Sequence, residues 1–177
     1  MEKKITLLKK LGGQNAKAQN GWLIDHLIAT YELLQQWGAE ETLCDAGLFH
    51  AAYGTFGYNE KLIDVSRREE LAALIGKDVE AIVYTYCACD RDKTYPNLKN
   101  RVVLFTDRFN SQTQYLTDKQ LRNFCELTVA NELELVSSND NFRRQWGHDL
   151  YELFEKMSPY ISDGAKAAYR EVLQEVA

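Results

Sequence analysis

Two of the three histidines, His26 and His50, stand 24 positions apart in the stretch DHLIATYELLQQWGAEETLCDAGLFHAAYGT. Imidazole titrates near neutrality and ligates metals through either ring nitrogen, so two such rings in contact would support metal binding or a buried hydrogen-bonded pair. Residues three and four apart stack on one side of a helix, and that spacing turns both histidines inward. Leu23, His26, Leu27, Thr30, Leu34 and Trp37 share one face of a first helix, and Leu43, Ala46, Gly47 and His50 share one face of a second. A mid-helix glycine costs about 1 kcal/mol of propensity relative to Ala. Gly47 therefore predicts a close helix approach one turn before His50, where the two rings are expected to meet. The third histidine, His148 in QWGHDLYELF, is expected at the surface or in helix packing.

These helices must be held by a chain of 177 residues, 45% hydrophobic and 27% charged, which fits a single soluble globular domain. Within it, 1–19 reads as an N-terminal helix and linker, 20–136 as the core and 137–177 as C-terminal helices. No run approaches the roughly 18 apolar residues of a membrane helix, and MEKKITLLKKLGG lacks the apolar h-region of a signal peptide. Cytoplasmic residence is expected, with no membrane partner. A net charge of −5 with no basic stripe argues against nucleic acid. Cys44, Cys87, Cys89 and Cys125 are too scattered for a disulfide framework. Cys87-Ala88-Cys89 has no second Cys/His pair to complete a zinc site and reads as a helix end.

Residues 2–11 form a short amphipathic helix ended by Gly12-Gly13, and Asn20 is placed as the cap of a helix running to Trp37. The second core helix is expected from Glu40 to about Tyr53, with Gly54 and Gly57 breaking it and Tyr53, Phe56 and Tyr58 clustered in the loop. Ser66 with Glu69 reads as a capping box, followed by a helix to Gly76 and another through Val79, Ile82, Val83 and Tyr86. RVVLFTD and FNSQTQYL suggest a β-hairpin near 101–116. Thr117 with Gln120 opens a helix to Val136. Asn139 or Asp140 caps a helix carrying Phe142, Trp146, Leu150, Leu153 and Phe154, and Ser162-Asp163 opens the last one, with Ala167, Tyr169, Val172 and Val176. The fold class is all-α. Trp22, Trp37 and Trp146 fall on apolar faces and are expected in the core.

His26-Leu27, Trp37-Gly38, Ala46-Gly47-Leu48-Phe49-His50 and Tyr53-Gly54-Thr55 together resemble the HD-domain superfamily, whose signature is a helical His, an adjacent His-Asp pair and a distant Asp. The likeness covers roughly 20–136. It is similar to the helical hydrolase domain of the stringent-response guanosine tetraphosphate enzymes, and to a family of unknown function with an HL...WG...AGLFH..YGT pattern. That resemblance implies an HD-like helical bundle and one divalent metal, held by two histidines and two aspartates, that activates a water against a phosphate ester. The metal motif is incomplete: Ala51 stands where the pair has its Asp, and Asn131 where the distant Asp is expected. Glu126, Glu132, Asp25 and Asp90 are possible substitutes. Glu126 is preferred because it precedes Leu127 in an inward-facing run, while Asp25 lies about 100° round the helix from His26.

Three readings of the histidines stay open: a buried pair hydrogen-bonded to each other, to Glu126, to Asn131 or to Tyr53; a mononuclear metal site of His26, His50 and Glu126; or a metal-free small-ligand pocket that Tyr53, Thr55, Arg67 and Asn131 help to line. The enzyme class is metal-assisted hydrolysis of a small phosphorylated compound, with Arg67 or Arg68 steadying the phosphate. The alternative is a non-catalytic module for a small molecule or a protein. No P-loop, GxGxxG, nucleophile elbow or HExxH is present.

Overall fold

The computed structural model describes residues 1–18, 21–100 and 102–175. Among these residues the helices are α1 (Glu2–Lys10), α2 (Leu23–Gln36), α3 (Glu41–Phe49), α4 (Arg68–Ile75), α5 (Lys77–Ala88), α6 (Arg91–Thr94), α7 (Asp118–Ser138), α8 (Asp140–Met157) and α9 (Asp163–Leu173). Two small antiparallel hairpins accompany them. β1 (Lys17–Ala18) pairs with β2 (Gly21–Trp22), and β3 (Leu104–Thr106) pairs with β4 (Thr113–Tyr115), Leu104 opposite Tyr115 and Thr106 opposite Thr113. The all-α class is as expected, and so is the second hairpin. Of the first hairpin, β1 falls in the stretch read as a linker and β2 where the helix toward Trp37 was expected to begin, because two-residue strands leave no alternation to detect. The expected cap Asn20, together with Arg101 and Val176, lies outside the described residues.

α7 is the central element. Thr117 caps it through a complete capping box with Gln120, and it touches α2, α3, α5, α8 and α9. Packing on several sides explains why nearly every residue from Phe124 to Leu133 is buried, polar ones included. Asn139 accepts from the Phe142 N–H to start α8, and Ser162 accepts from the Ala165 N–H to start α9, both at the positions their residue types predict. The buried stripe of α9 is Ala165, Tyr169 and Leu173, not the one through Ala167, which is exposed.

α2 and α3 cross at Gly47. A methyl group there would stand 2.6 Å from Leu34 Cδ1 and 3.7 Å from the Tyr31 backbone, so the absence of a side chain lets the helices close up. α3 then stops at Phe49, earlier than its apolar pattern suggests. His50, at the C-cap, donates from Nδ1 to the Gly47 carbonyl at 2.7 Å and so occupies the acceptor that one more helical residue would have used. The chain turns at Gly54 (φ 72°), where a Cβ would lie 3.0 Å from the Tyr58 carbonyl, and Thr55 and Tyr58 exchange backbone hydrogen bonds of 2.7 and 3.2 Å.

The expected Ser66–Glu69 capping box does not form. Asp64 takes the Ser66 N–H and Oγ–H at 3.0 and 2.8 Å and starts a single 3₁₀ turn, Val65–Arg67, before α4. A carboxylate two residues upstream competes for the same donors as the serine. Trp22 and Trp146 are 45% and 43% exposed, against their expected core positions. Trp22 belongs to β2 and is covered on one face by the Lys17 ammonium, 3.5 Å from the ring centroid. Trp146 lies on the stripe of α8 that borders an open cleft.

Candidate functional site

α2 supplies His26, the C-cap of α3 supplies His50, and α7 supplies Asn131 and Glu134. The rings of His26 and His50 meet edge to face, centroids 5.1 Å apart, and their Nε2 atoms are separated by 3.3 Å. Asn131 Oδ1 lies 3.0 Å from His26 Nε2, and Glu134 pairs with His26 through Nδ1. Both imidazoles are almost completely withdrawn from solvent.

The positions of the hydrogens follow from this geometry. Burial, and next the neighbouring His26, pull the pKa of His50 down from 6.5 to about 3, so its ring is neutral. Its one hydrogen is on Nδ1, directed at Gly47, which leaves Nε2 a bare acceptor. An amide oxygen also only accepts. His26 Nε2 faces both of them, at 3.3 and 3.0 Å. A hydrogen must also lie between His26 Nδ1 and the Glu134 carboxylate, because two lone pairs there would repel. The floor is a continuous hydrogen-bonded row from Glu134 through His26 and His50 to the Gly47 carbonyl.

This floor opens into a cleft of about 950 Å³. Thr55, Asn131 and Ala51 line it. The other expected residues are elsewhere. Tyr53 is buried beside it and donates its hydroxyl to Glu80 at 2.8 Å, burial and then that carboxylate pushing its pKa upward. Arg67 is exposed and pairs with Glu70 at 2.7 Å, and Arg68 is bound to Glu80 at 2.7 and 2.9 Å, so neither faces the cleft. Glu126, the preferred third ligand, instead accepts from the Ser162 N–H at 2.8 Å and hydroxyl at 2.6 Å, anchoring the start of α9. The helical repeat explains the correction: position 126 is about 140° round α7 from Asn131, whereas 134 is only about 60° away. Asp25 is exposed, Asp90 caps α6, and His148 is at the surface near Glu152.

Three features escaped the sequence reading. Glu134 could have been found from its i, i+3 relation to Asn131. Arg91 is a mostly buried cation in the cleft, donating to Glu132 Oε1 at 2.7 Å and to the Tyr86 hydroxyl at 3.1 Å. The third is the apolar stripe of α8: Phe142, Trp146, Leu150 and Leu153 line the cleft, while Phe154 alone of the expected set is fully buried.

The residues present do not fit the divalent metal that the HD resemblance implies. Two imidazoles and one amide oxygen converge, with no carboxylate among them. Position 51 offers a methyl group, and Glu134 lies behind His26 on the opposite ring nitrogen. The Arg91 cation also acts on the ring of His50 and opposes a second cation beside it. Among the described residues no group of three or more His, Cys, Asp or Glu side chains is arranged to hold a metal ion.

Residues 7–91 match a domain of unknown function, DUF6817. No functionally curated protein matches the chain. The fold is similar to a solved structure described as a metazoan ortholog of SpoT that hydrolyzes ppGpp and plays a role in starvation responses. The TM-score is 0.64 and the identity 12%, over 99% of this chain and 96% of that one. The chain therefore has an HD-hydrolase-like helical fold. Among the described residues no helix is long and apolar enough to cross a membrane.

Proposed function

We propose that this chain is a metal-independent small-molecule-binding domain on an HD-like scaffold, with its ligand seated in the cleft above His26 and His50. The observation that carries this reading is the floor itself. Two buried imidazoles and an amide meet at hydrogen-bonding distance at the base of an open, largely apolar cleft. Such a floor supplies shape and hydrogen bonding to a ligand, without the anionic donors that hold a hard dication.

A second reading, metal-assisted hydrolysis of a small phosphorylated compound, draws on one specific contact. Glu134 supports the far nitrogen of His26 in the manner usual for metal-ligating histidines, and the structural neighbour is a ppGpp hydrolase. Elemental analysis of protein purified without a histidine tag separates the two. The binding reading expects far less than one equivalent of Mn, Fe, Zn or Ni per chain and no thermal shift on adding them. One firmly held equivalent, with metal-dependent phosphoester turnover, would overturn it.

A further inference from the structure

We infer that the ligand of this cleft is an aromatic or similarly apolar molecule bearing one carboxylate, bound through Arg91, and that phosphorylated compounds are poor ligands. The inference rests on the metal-independent binding reading above and narrows it to a chemical class.

The walls set the body of the ligand. Phe56 on the loop after α3, Trp146 on α8, and Tyr58, Tyr95 and Phe142 all border the same opening. Phe56 and Trp146 are 39% and 43% exposed, large apolar side chains on separate elements that meet water in the free protein. Aromatic surface left open around a concave site is what an apolar ligand covers.

The charges set the head group. Arg91, Lys99 and Lys156 border the cleft, and so do Asp92, Glu132, Asp149 and Glu152. Carboxylates outnumber cations around the opening. A phosphate monoester, close to doubly charged above about pH 7 because its second pKa is about 6, would enter a site with no positive excess to receive it. Arg91 nevertheless has donors to offer. A guanidinium carries five N–H groups, and among the described residues Arg91 uses one on Glu132 and one on Tyr86. The remaining donors of a planar fork match one carboxylate, giving an arginine shared between Glu132 and the ligand.

Three probes of one shape test this: phenylacetate, phenylacetamide and phenyl phosphate, followed by ligand-detected NMR and isothermal titration at about pH 7.5, with EDTA and again with Mn²⁺. Phenylacetate should bind about tenfold or more tightly than the other two. Trp146→Ala should weaken it, and so should the paired change Arg91→Gln with Glu132→Gln, which avoids burying an unmatched Glu132 charge. Circular dichroism verifies that each variant is folded. Phenyl phosphate binding as well as phenylacetate in EDTA overturns the head-group inference and leaves the metal-independent pocket standing. Equal binding of phenylacetamide overturns it as well. Phenyl phosphate bound or hydrolysed only with Mn²⁺ overturns the metal-independent reading itself. Binding unchanged in both variants, or no binding by any probe, removes the cleft as the site.

Discussion

His26 Nε2 and His50 Nε2 lie 3.3 Å apart, on helices that approach closely because residue 47 has no side chain. The contact depends on a neutral His50 ring and on a helix crossing, and each can be perturbed alone.

Gly47→Ala places a methyl group 2.6 Å from a Leu34 terminal carbon that is itself fully buried. Overpacking of this kind costs about 1–3 kcal/mol, against about 1 kcal/mol gained in helix propensity. A net loss of about 1 kcal/mol is expected in urea unfolding, together with shifted imidazole resonances for both histidines. A variant more stable than wild type would contradict the crossing described here.

His50 has a folded pKa of about 3 against an ordinary 6.5. As pH falls below 6.5 the unfolded chain takes up a proton at this position while the folded chain does not, so stability declines with falling pH through the window above about 3. One such group contributes up to about 1.4 kcal/mol per pH unit. Urea unfolding between about pH 7 and pH 5, above most carboxylate titration, should show that slope in wild type and lose it in His50→Gln. Identical slopes would mean the ring is not held neutral.

Ala51→Asp combined with Asn131→Asp places two carboxylates in a cleft already bordered by two imidazoles. Without metal the double variant should melt below wild type, because buried carboxylates then face each other unpaired. Added Mn²⁺ should raise its melting temperature and leave wild type unmoved. Equal response of the two proteins would show that the natural residues already suffice to hold the ion.

Glu80, only 5% exposed, accepts from Tyr53 at 2.8 Å and from Arg68 at 2.7 and 2.9 Å. Glu80→Ala strands the tyrosine hydroxyl in the interior, while the partly exposed arginine can rehydrate. A loss of about 2–3 kcal/mol is expected in chemical unfolding, with about 1 kcal/mol for Tyr53→Phe. Near-zero effects in both would show that this network is not a stabilising tie between the turn after α3 and α5.

Local rules were legible wherever one residue and its near neighbours decide the outcome. The Thr117–Gln120 box, the caps at Asn139 and Ser162 and the inward face shared by Leu23, His26, Leu27, Thr30 and Leu34 are all present. Competition between adjacent groups was harder to read. Asp64 displaced Ser66 as a cap, and the His50 side chain ended α3 earlier than its apolar pattern suggests. Partners across the fold were legible only in part: the meeting of His26 with His50 and Asn131 was among the readings, and the other partners were not. His26 finds Glu134 108 positions away, and Glu126 turns to Ser162.

By itself the sequence determined the helical class, the inward setting of both histidines and the presence of Ala and Asn at positions 51 and 131, because periodicity and residue type are local properties. The tertiary structure alone decided which side chains of α7 face the imidazoles, that Arg91 borders the cleft and that one stripe of α8 is left open above it. Those outcomes depend on how each helix is rotated about its own axis, and that rotation is set by packing every neighbour at once.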